Sequence, residues 1–241
     1  MKVYGITDIS RMRPINEDSY YLPQEGERFC AVADGMGGHN AGEVASAMAV
    51  QVFSDIMRGV ETITVDALRT SVERANEAVY HAALENEGMS GMGTTFSALA
   101  EEEDRAFIAH VGDSRVYLVR DNAIMQMTTD HTLVEEMVQK GMLTPREARF
   151  HPRRNIITRA LGTEPWVEID ILQMGVRPGD AFFLCSDGMT NYVEEGEILS
   201  AAMSGDGWQQ KLERLLSIAL DHGGADNITA LFAVIEEAAN R

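Results

Sequence analysis

At residues 29–38 the chain reads FCAVADGMGG, and at 181–190 it reads AFFLCSDGMT. In each, an apolar run stops at a lone aspartate, Asp34 or Asp187, with glycine and methionine next. Asp113 follows HVG, Asp226 precedes Asn227 and the apolar run ITALFAVI, and Asn16-Glu17-Asp18 stands just before SYYL. Taken singly, an aspartate at a strand end is a turn former or a helix cap. Five acidic sites in one kind of context imply more, because packed sheets can bring strand ends together. Carboxylates that close raise one another's pKa sharply unless a cation neutralises them. Oxygen-only donors suit Mg²⁺ or Mn²⁺ rather than Zn²⁺, and no His/Cys set at zinc spacing competes.

The glycines after Asp34 and Asp187 fit the same chemistry. Gly35 and Gly188 let the backbone turn sharply and let a carbonyl oxygen approach a metal with no Cβ in the way. Phosphate-binding loops are excluded by inspection. Gly37 to Gly42 has the Walker spacing, but Glu43 stands where lysine is required, and Gly35-x-Gly37-x-x-Asn40 lacks the third glycine of a dinucleotide fingerprint. The alternating acids and closing glutamate of an EF-hand loop are also absent.

The elements that must position these acids follow from periodicity. Val44, Met48, Val52 and Ile56 recur every four residues and predict a helix over 43–58. Val65, Leu68, Val72, Ala75, Val79 and Ala82 predict a second over 64–85, with Thr64 as N-cap. A third runs from Trp208 to about Leu220 and stops at His222-Gly223-Gly224. Strand-like runs occupy 3–8, 29–33, 95–100, 106–111, 115–119, 123–127, 167–174, 181–186 and 227–235. Runs such as AFIAHV and ITALFAVI are apolar on both faces, which implies sheets covered on both sides. Strands outnumber helices and the helices come in pairs, so the expected class is α+β with packed sheets rather than a doubly wound α/β fold.

Composition narrows the function classes. The chain has 241 residues, 45% hydrophobic and 24% charged, with no linker or repeat, and reads as one domain. Its 38 acidic and 20 basic residues give a net charge of −18, which repels nucleic acid. No stretch approaches the ~20 apolar residues of a membrane span. The N-terminus lacks a signal-peptide pattern, so the expected compartment is cytoplasmic. Cys30 and Cys185 lie in apolar runs and read as buried free thiols.

Six motifs stand in order along the chain: Asn16-Glu17-Asp18, Asp34-Gly35-Met36-Gly37-Gly38, Gly93-Thr94-Thr95, His110-Val111-Gly112-Asp113-Ser114-Arg115, Ser186-Asp187-Gly188 and Asp226-Asn227. In this they resemble the PPM family of metal-dependent serine/threonine protein phosphatases (type 2C), in its compact bacterial form, from about Thr7 to Ile235. The resemblance implies a central β-sandwich of two antiparallel sheets flanked by pairs of helices, with metals at one end. It implies that Asp34 bridges two ions, that Asp187 and Asp226 complete the first site, and that the Gly35 carbonyl ligates the second ion while Glu17 and Asp18 hold its waters. Asp113, with Asp187, matches the holder of a third, weaker ion, and Arg13 matches the arginine that grips the substrate phosphate. A bridging water or hydroxide then attacks phosphorus in phosphoserine or phosphothreonine, with no covalent phosphoenzyme.

The resemblance further implies Mn²⁺ or Mg²⁺ as cofactor and phosphorylated proteins, those of a Ser/Thr kinase, as substrates. Nothing points beyond a monomer. Eukaryotic relatives carry histidine after the Asp-Gly pair, where this chain has Met36; His39 is a candidate for the missing proton donor. Residues 131–162 match the family's flap and hold Lys140, Arg146, Arg149, Arg153, Arg154 and Arg159 against Glu135, Glu136 and Glu147, a basic segment in an acidic chain. Two other readings share these residues: a non-catalytic regulatory module on the same fold, and a hydrolase of small phosphoesters.

Overall fold

The structure is a computed structural model that describes residues 1–37 and 41–237. Among these residues eleven strands form two sheets with antiparallel pairing throughout. In chain order they are β1 (Lys2–Asp8), β2 (Asp18–Tyr21), β3 (Phe29–Met36), β4 (Gly93–Thr94), β5 (Phe96–Glu102), β6 (Arg105–Val111), β7 (Arg115–Arg120), β8 (Ala123–Gln126), β9 (Asp170–Gly175), β10 (Ala181–Cys185) and β11 (Ile228–Val234). The first sheet has the order β1-β11-β10-β7-β8. The second runs β2-β3-β5-β6-β9, with β4 paired to the end of β3.

Helices α1 (Ala41–Arg58) and α2 (Val65–Glu85) cover the second sheet. Next come α3 (Leu133–Gln139), α4 (Pro145–Arg149) and the single turn α5 (Asp187–Thr190). Helices α6 (Glu195–Ala202) and α7 (Trp208–Asp221) cover the first sheet. The result is the expected α+β sandwich with a helix pair on each outer face. Thr64 caps α2 as its sequence predicts, accepting from the Ala67 N–H at 3.1 Å.

Strand alternation sorts the side chains into three cores. In β3, Phe29, Ala31 and Ala33 face α1 and α2, while Cys30 and Val32 face the other sheet. In β10, Phe183 and Cys185 lie beneath α6 and α7, while Phe182 and Leu184 fill the layer between the sheets. Both cysteines are buried and free, and burial pushes each thiol up to about 12. Among the described residues no helix is long and apolar enough to cross a membrane.

The structure differs from the sequence expectation in several places. The strand expected over 29–33 continues through Asp34 and Gly35 to Met36, because Gly35 and Met36 pair with Thr94 and Gly93. Asp34 therefore lies inside a ladder rather than in a turn beyond it. The run expected over 167–174 pairs only from Asp170 onward. Helix α6 is too short, and too rich in glutamate and glycine, to show periodicity.

Residues 131–162 carry α3 and α4. Their ends are tied by a Thr132–Ile157 bridge and by the Leu133 N–H to the Ile156 carbonyl. A capping box between Thr144 and Glu147 starts α4, with Pro145 in its first turn.

The inter-sheet layer carries a stability prediction. Phe182 is fully buried there, so Phe182→Ala is expected to cost about 3–5 kcal/mol. Urea unfolding of the variant and the parent measures it.

Candidate active site

The alternation that builds the middle layer also aims the site residues. Continuing from Cys30 and Val32, Asp34 falls on the inter-sheet side at the end of β3. Its register partner across the ladder is Asp18, the first residue of β2. From the first sheet, Ser186 continues Phe182 and Leu184, and Thr229 precedes Leu231 on β11. Ser186 Oγ donates to Asp18 Oδ2 at 2.7 Å and accepts the Thr229 N–H at 3.0 Å. A buried hydroxyl thus joins a carboxylate of one sheet to the backbone of the other.

The Asp34 backbone is fixed by two threonines. Its N–H donates to Thr95 Oγ1 at 2.9 Å, and its carbonyl accepts from the Thr95 N–H and Thr94 Oγ1, both at 2.9 Å. Thr95 Oγ1 lies 2.6 Å from Ser114 Oγ, next to Asp113. The Asp113 turn is held from the segment 131–162: His131 Nδ1 accepts the Gly112 N–H at 3.0 Å, and the His131 N–H returns a bond to the Gly112 carbonyl at 2.7 Å. Acceptance at Nδ1 puts the ring proton on Nε2, facing Asp170 Oδ2 at 3.3 Å.

Two glycines are required by close approach. A Cβ on Gly35 would lie 2.0 Å from the Gly42 carbonyl oxygen, and one on Gly188 would lie 1.9 Å from the Asn227 carbonyl oxygen. Those approaches bring α1 and β11 against the two Asp-Gly pairs.

Burial and mutual repulsion dominate the electrostatics. Asp34 is pushed well above the ordinary carboxylate range, first by burial and then by Asp18, Asp187, Asp113 and Asp226. Asp18 rises to about 7, chiefly through burial, against the opposing hydrogen bonds of Ser186 and Thr229. Asp187 rises to about 6 through burial and Asp226, and Asp113 to about 8 through burial and Asp187. Glu17 is raised by burial, which outweighs the nearby Arg13. The structure therefore brings together Glu17, Asp18, Asp34, Asp113, Asp187 and Asp226 from both sheets. Arg13 joins them, its Nη2 donating to Asp226 Oδ2 at 2.8 Å, with Nη1 3.7 Å from Glu17 Oε2. His39 lies outside the described residues. Met36, at the end of β3, packs toward Gly93.

Whether these residues fit divalent ions rests on four observations. The donors are oxygen atoms, as hard cations require. Asp18 Oδ1 is buried with no hydrogen-bond partner. A Cβ placed on Gly42 would meet Glu17 Oε1 at 2.4 Å and the Gly35 carbonyl oxygen at 2.9 Å, so two acceptors converge on one cradle. The excess negative charge is offset by Arg13, and by Arg115 beside Asp113 and Asp187, which leaves most of it uncompensated. Among the described residues no group of three or more acidic, histidine or cysteine side chains is placed to hold an ion by itself. Asp226 is turned to Arg13, Asp187 to Asn191 Nδ2 at 3.0 Å, and Asp18 to Ser186. The set fits ions held partly through water and backbone oxygen.

Sequence reasoning quoted Thr95, Ser186 and Asn227 within motifs without giving them a role, and missed Thr229 and His131 as supports of the site. The available signal was a buried polar residue within an otherwise apolar run, as with Thr229 in ITALFAVI. Asp113 and Asp187 also line a cavity of about 520 Å³ whose walls include Arg149, Arg154 and Asn155 of the segment 131–162, together with Glu194.

Comparison with known proteins gives a consistent result. The sequence profile of the family described as protein phosphatase 2C matches residues 11–232. A serine/threonine phosphatase, stp, of Listeria welshimeri is 38% identical over 232 residues, covering 93% of this chain and 92% of its own. The crystal structure of the Mycobacterium tuberculosis serine/threonine phosphatase PstP/Ppp is 36% identical, with a TM-score of 0.90 over 98% of this chain and 99% of that one. A catalytic-domain structure of the serine/threonine protein phosphatase PstP with two manganese ions is 34% identical, with a TM-score of 0.89 and 98% coverage of both chains.

The raised carboxylates predict how metal-free stability depends on pH. Their folded pKa values, about 6 for Asp187, 7 for Asp18 and 8 for Asp113, exceed the ordinary value of 3.8. The folded state then binds more protons, so its stability is greatest at low pH and is lost as pH rises from about 4 through 8. In EDTA the melting temperature is expected to fall by about 5 °C or more between pH 5 and pH 8. Added Mn²⁺ should raise it more at pH 8 than at pH 5, because binding requires the ionised carboxylates. A thermal shift series in both media measures this.

Proposed function

The chain belongs to the protein phosphatase 2C family, and on that premise we propose a role for each residue of the site. The protein is a metal-dependent protein serine/threonine phosphatase, and its substrates are phosphoproteins. The observation that carries the site reading is the gathering of Asp18, Asp34, Asp187 and Asp226 at one end of the sandwich, each held up in pKa by burial or by its neighbours, or itself raising theirs.

In this reading Asp34, Asp187 and Asp226 hold a first divalent ion. Asp34 and the Gly35 carbonyl hold a second, whose waters Glu17 and Asp18 orient. Asp113, with Asp187, holds a third, weaker ion. Manganese is the favoured ion, as in the similar PstP structure, with magnesium as the alternative. Bound ions supply charge neutralisation and a water acidic enough to act as nucleophile near neutral pH.

The protein's own groups do the rest. Arg13 reaches the site from a surface loop, with its guanidinium fixed by Asp226. Its planar fork suits two phosphoryl oxygens and offsets the charge that builds on them during in-line attack. Ser186 fixes the carboxylate of Asp18, and Thr94 and Thr95 fix the strand that carries Asp34. The sandwich floor shields the carboxylates from bulk water on the inner side.

Residues 131–162 are read as a flap within a single 1–241 phosphatase unit, in contact with the phosphoprotein. Among the described residues Arg146, Arg153 and Arg154 have no carboxylate within 4.0 Å, unlike Arg149, which meets Glu194 at 3.1 Å. The protein is read as a monomeric cytoplasmic enzyme that reverses the work of a Ser/Thr kinase, without membrane or nucleic-acid partners.

Two experiments test these assignments. Hydrolysis of a phosphothreonine peptide should stop in EDTA and return with Mn²⁺, and Asp187→Ala should lower kcat at least about 10³-fold. A folded protein that binds Mn²⁺ yet releases no phosphate would instead be the regulatory module. For the flap, neutralising Arg153 and Arg154 together should raise KM several-fold for a phosphoprotein but leave an aryl phosphate unaltered. Unchanged kinetics on both would remove the contact.

A further inference from the structure

We propose that Asn227 is a positioning residue that sets the loop carrying Arg13, and so the grip on the phosphoryl group. This rests on the phosphate role assigned above to Arg13. The loop from Ile9 to Glu17 links β1 to β2 and runs over the site. Arg13 lies near its middle and is half exposed. A long side chain on an exposed loop keeps a defined position only if the loop is pinned at both ends.

One buried amide supplies both pins. Asn227 Nδ2 donates to the Ile9 carbonyl at 3.0 Å and to the Ile15 carbonyl at 2.9 Å. Its Oδ1 accepts the Glu17 N–H at 2.8 Å. Both amide hydrogens and the oxygen are thus committed to the same loop, on a residue only 3% exposed. The neighbouring Asp226 completes the arrangement. Its Oδ1 accepts the Asn227 N–H at 2.9 Å, and its Oδ2 takes Arg13 Nη2 at 2.8 Å. Consecutive residues at the start of β11 therefore hold the loop backbone and the guanidinium it delivers.

The chemistry of the side chain is specific. Pinning two carbonyls requires two donors, and pinning the Glu17 N–H requires an acceptor in the same plane; a primary amide provides both. Aspartate has the same shape but cannot donate to the carbonyls. The loop's other contacts lie toward its two ends: Ser10 N–H to Asp8 Oδ1 at 2.7 Å, Arg11 N–H to the Gly224 carbonyl at 3.1 Å, Asn16 Nδ2 to Thr7 Oγ1 at 2.8 Å, and the Glu17 carbonyl accepting the Gly35 N–H at 3.0 Å and Ser46 Oγ at 2.6 Å. At Ile15, next but one to Arg13, the hold is the Asn227 amide. A freed loop leaves Arg13 available but unplaced, which weakens both its grip on the phosphoryl group and its support of the charge that builds during attack.

The test uses the full chain at saturating Mn²⁺, with KM and kcat for a phosphothreonine peptide and the competitive Ki of inorganic phosphate. The variants are Asn227→Asp, Asn227→Ala, Arg13→Ala and both double variants with Arg13→Ala. Asn227→Asp, which preserves the volume, serves if Asn227→Ala does not fold. Each single Asn227 variant is expected to raise KM and the phosphate Ki about ten-fold, with a fall in kcat no larger than that of Arg13→Ala. In the Arg13→Ala background the same substitution should add less than about two-fold, because the group it positions is gone.

A folded Asn227 variant with unaltered KM and Ki overturns the inference. So does an effect of full size in the Arg13→Ala background, which would mean that the amide acts on the metals or on global stability. If Arg13→Ala alone leaves both constants unaltered, the phosphate role of Arg13 is refuted and the inference falls with it. That outcome is read from a different variant than the other two.

Discussion

Like charges held close in a partly buried place govern this end of the molecule. Glu17, Asp18, Asp34, Asp187 and Asp226 have Arg13 as the cation bonded among them, with Arg115 also acting on Asp187. Two unit charges about 4 Å apart repel by about 4 kcal/mol at the effective dielectric of a protein surface. One half-exposed guanidinium cannot offset several such pairs. Burial first, and this repulsion after it, hold the pKa values of Asp18, Asp34 and Asp187 up. Divalent ions held there would resolve the conflict, and such ions are the chemical equipment of phosphoester hydrolysis. In the proposed reading, the feature that destabilises the metal-free protein is the one that serves the chemistry.

The rest of the fold is arranged to make that conflict sustainable. Two sheets with large buried side chains on three layers hold the strand ends in register, so that Asp18 and Asp34 stay directly opposite each other. Hydroxyls then fix the acids without adding charge. Ser186 ties Asp18 to β11, while Thr94 and Thr95 tie Asp34 to β4 and β5. Neutral donors lower a carboxylate's pKa modestly yet leave its charge available to a cation, whereas a lysine at the same place would replace the metal. The close approaches at Gly35 and Gly188 complete the geometry, since any larger residue would push α1 or β11 away.

Much of this was legible in the sequence, for identifiable reasons. The four-residue spacing of Val44, Met48, Val52 and Ile56 marks a helix covering a sheet, and Thr64 caps the next as expected. Asp34 and Asp187 announced themselves because a lone acid after a run of buried apolar residues is costly without a purpose. Other features were not local signals. That β3 continues through Asp34 depends on pairing with Gly93–Thr94, some sixty residues away. Ser186 and Asn227 stand in motifs, and Thr229 in an apolar run, but what each holds becomes visible only when the sheets are stacked and their partners come from distant segments. Helix α6 carries too few apolar positions to declare its period.

The net charge of −18 poses a separate problem, because a phosphoprotein is itself an anion. At long range the two repel. At physiological ionic strength, however, exposed charges more than about 8 Å apart are largely screened, so the bulk acidity of the surface matters little once substrate and site are in contact. What then decides binding is the small set of charges within that distance of the phosphoryl group. Arg13 is one of them, and its loop is pinned at both ends by a neutral amide rather than by a second acid. Asp226 and Glu17 already take one side of the guanidinium, and Asn227 holds the loop backbone without adding a third acid beside it.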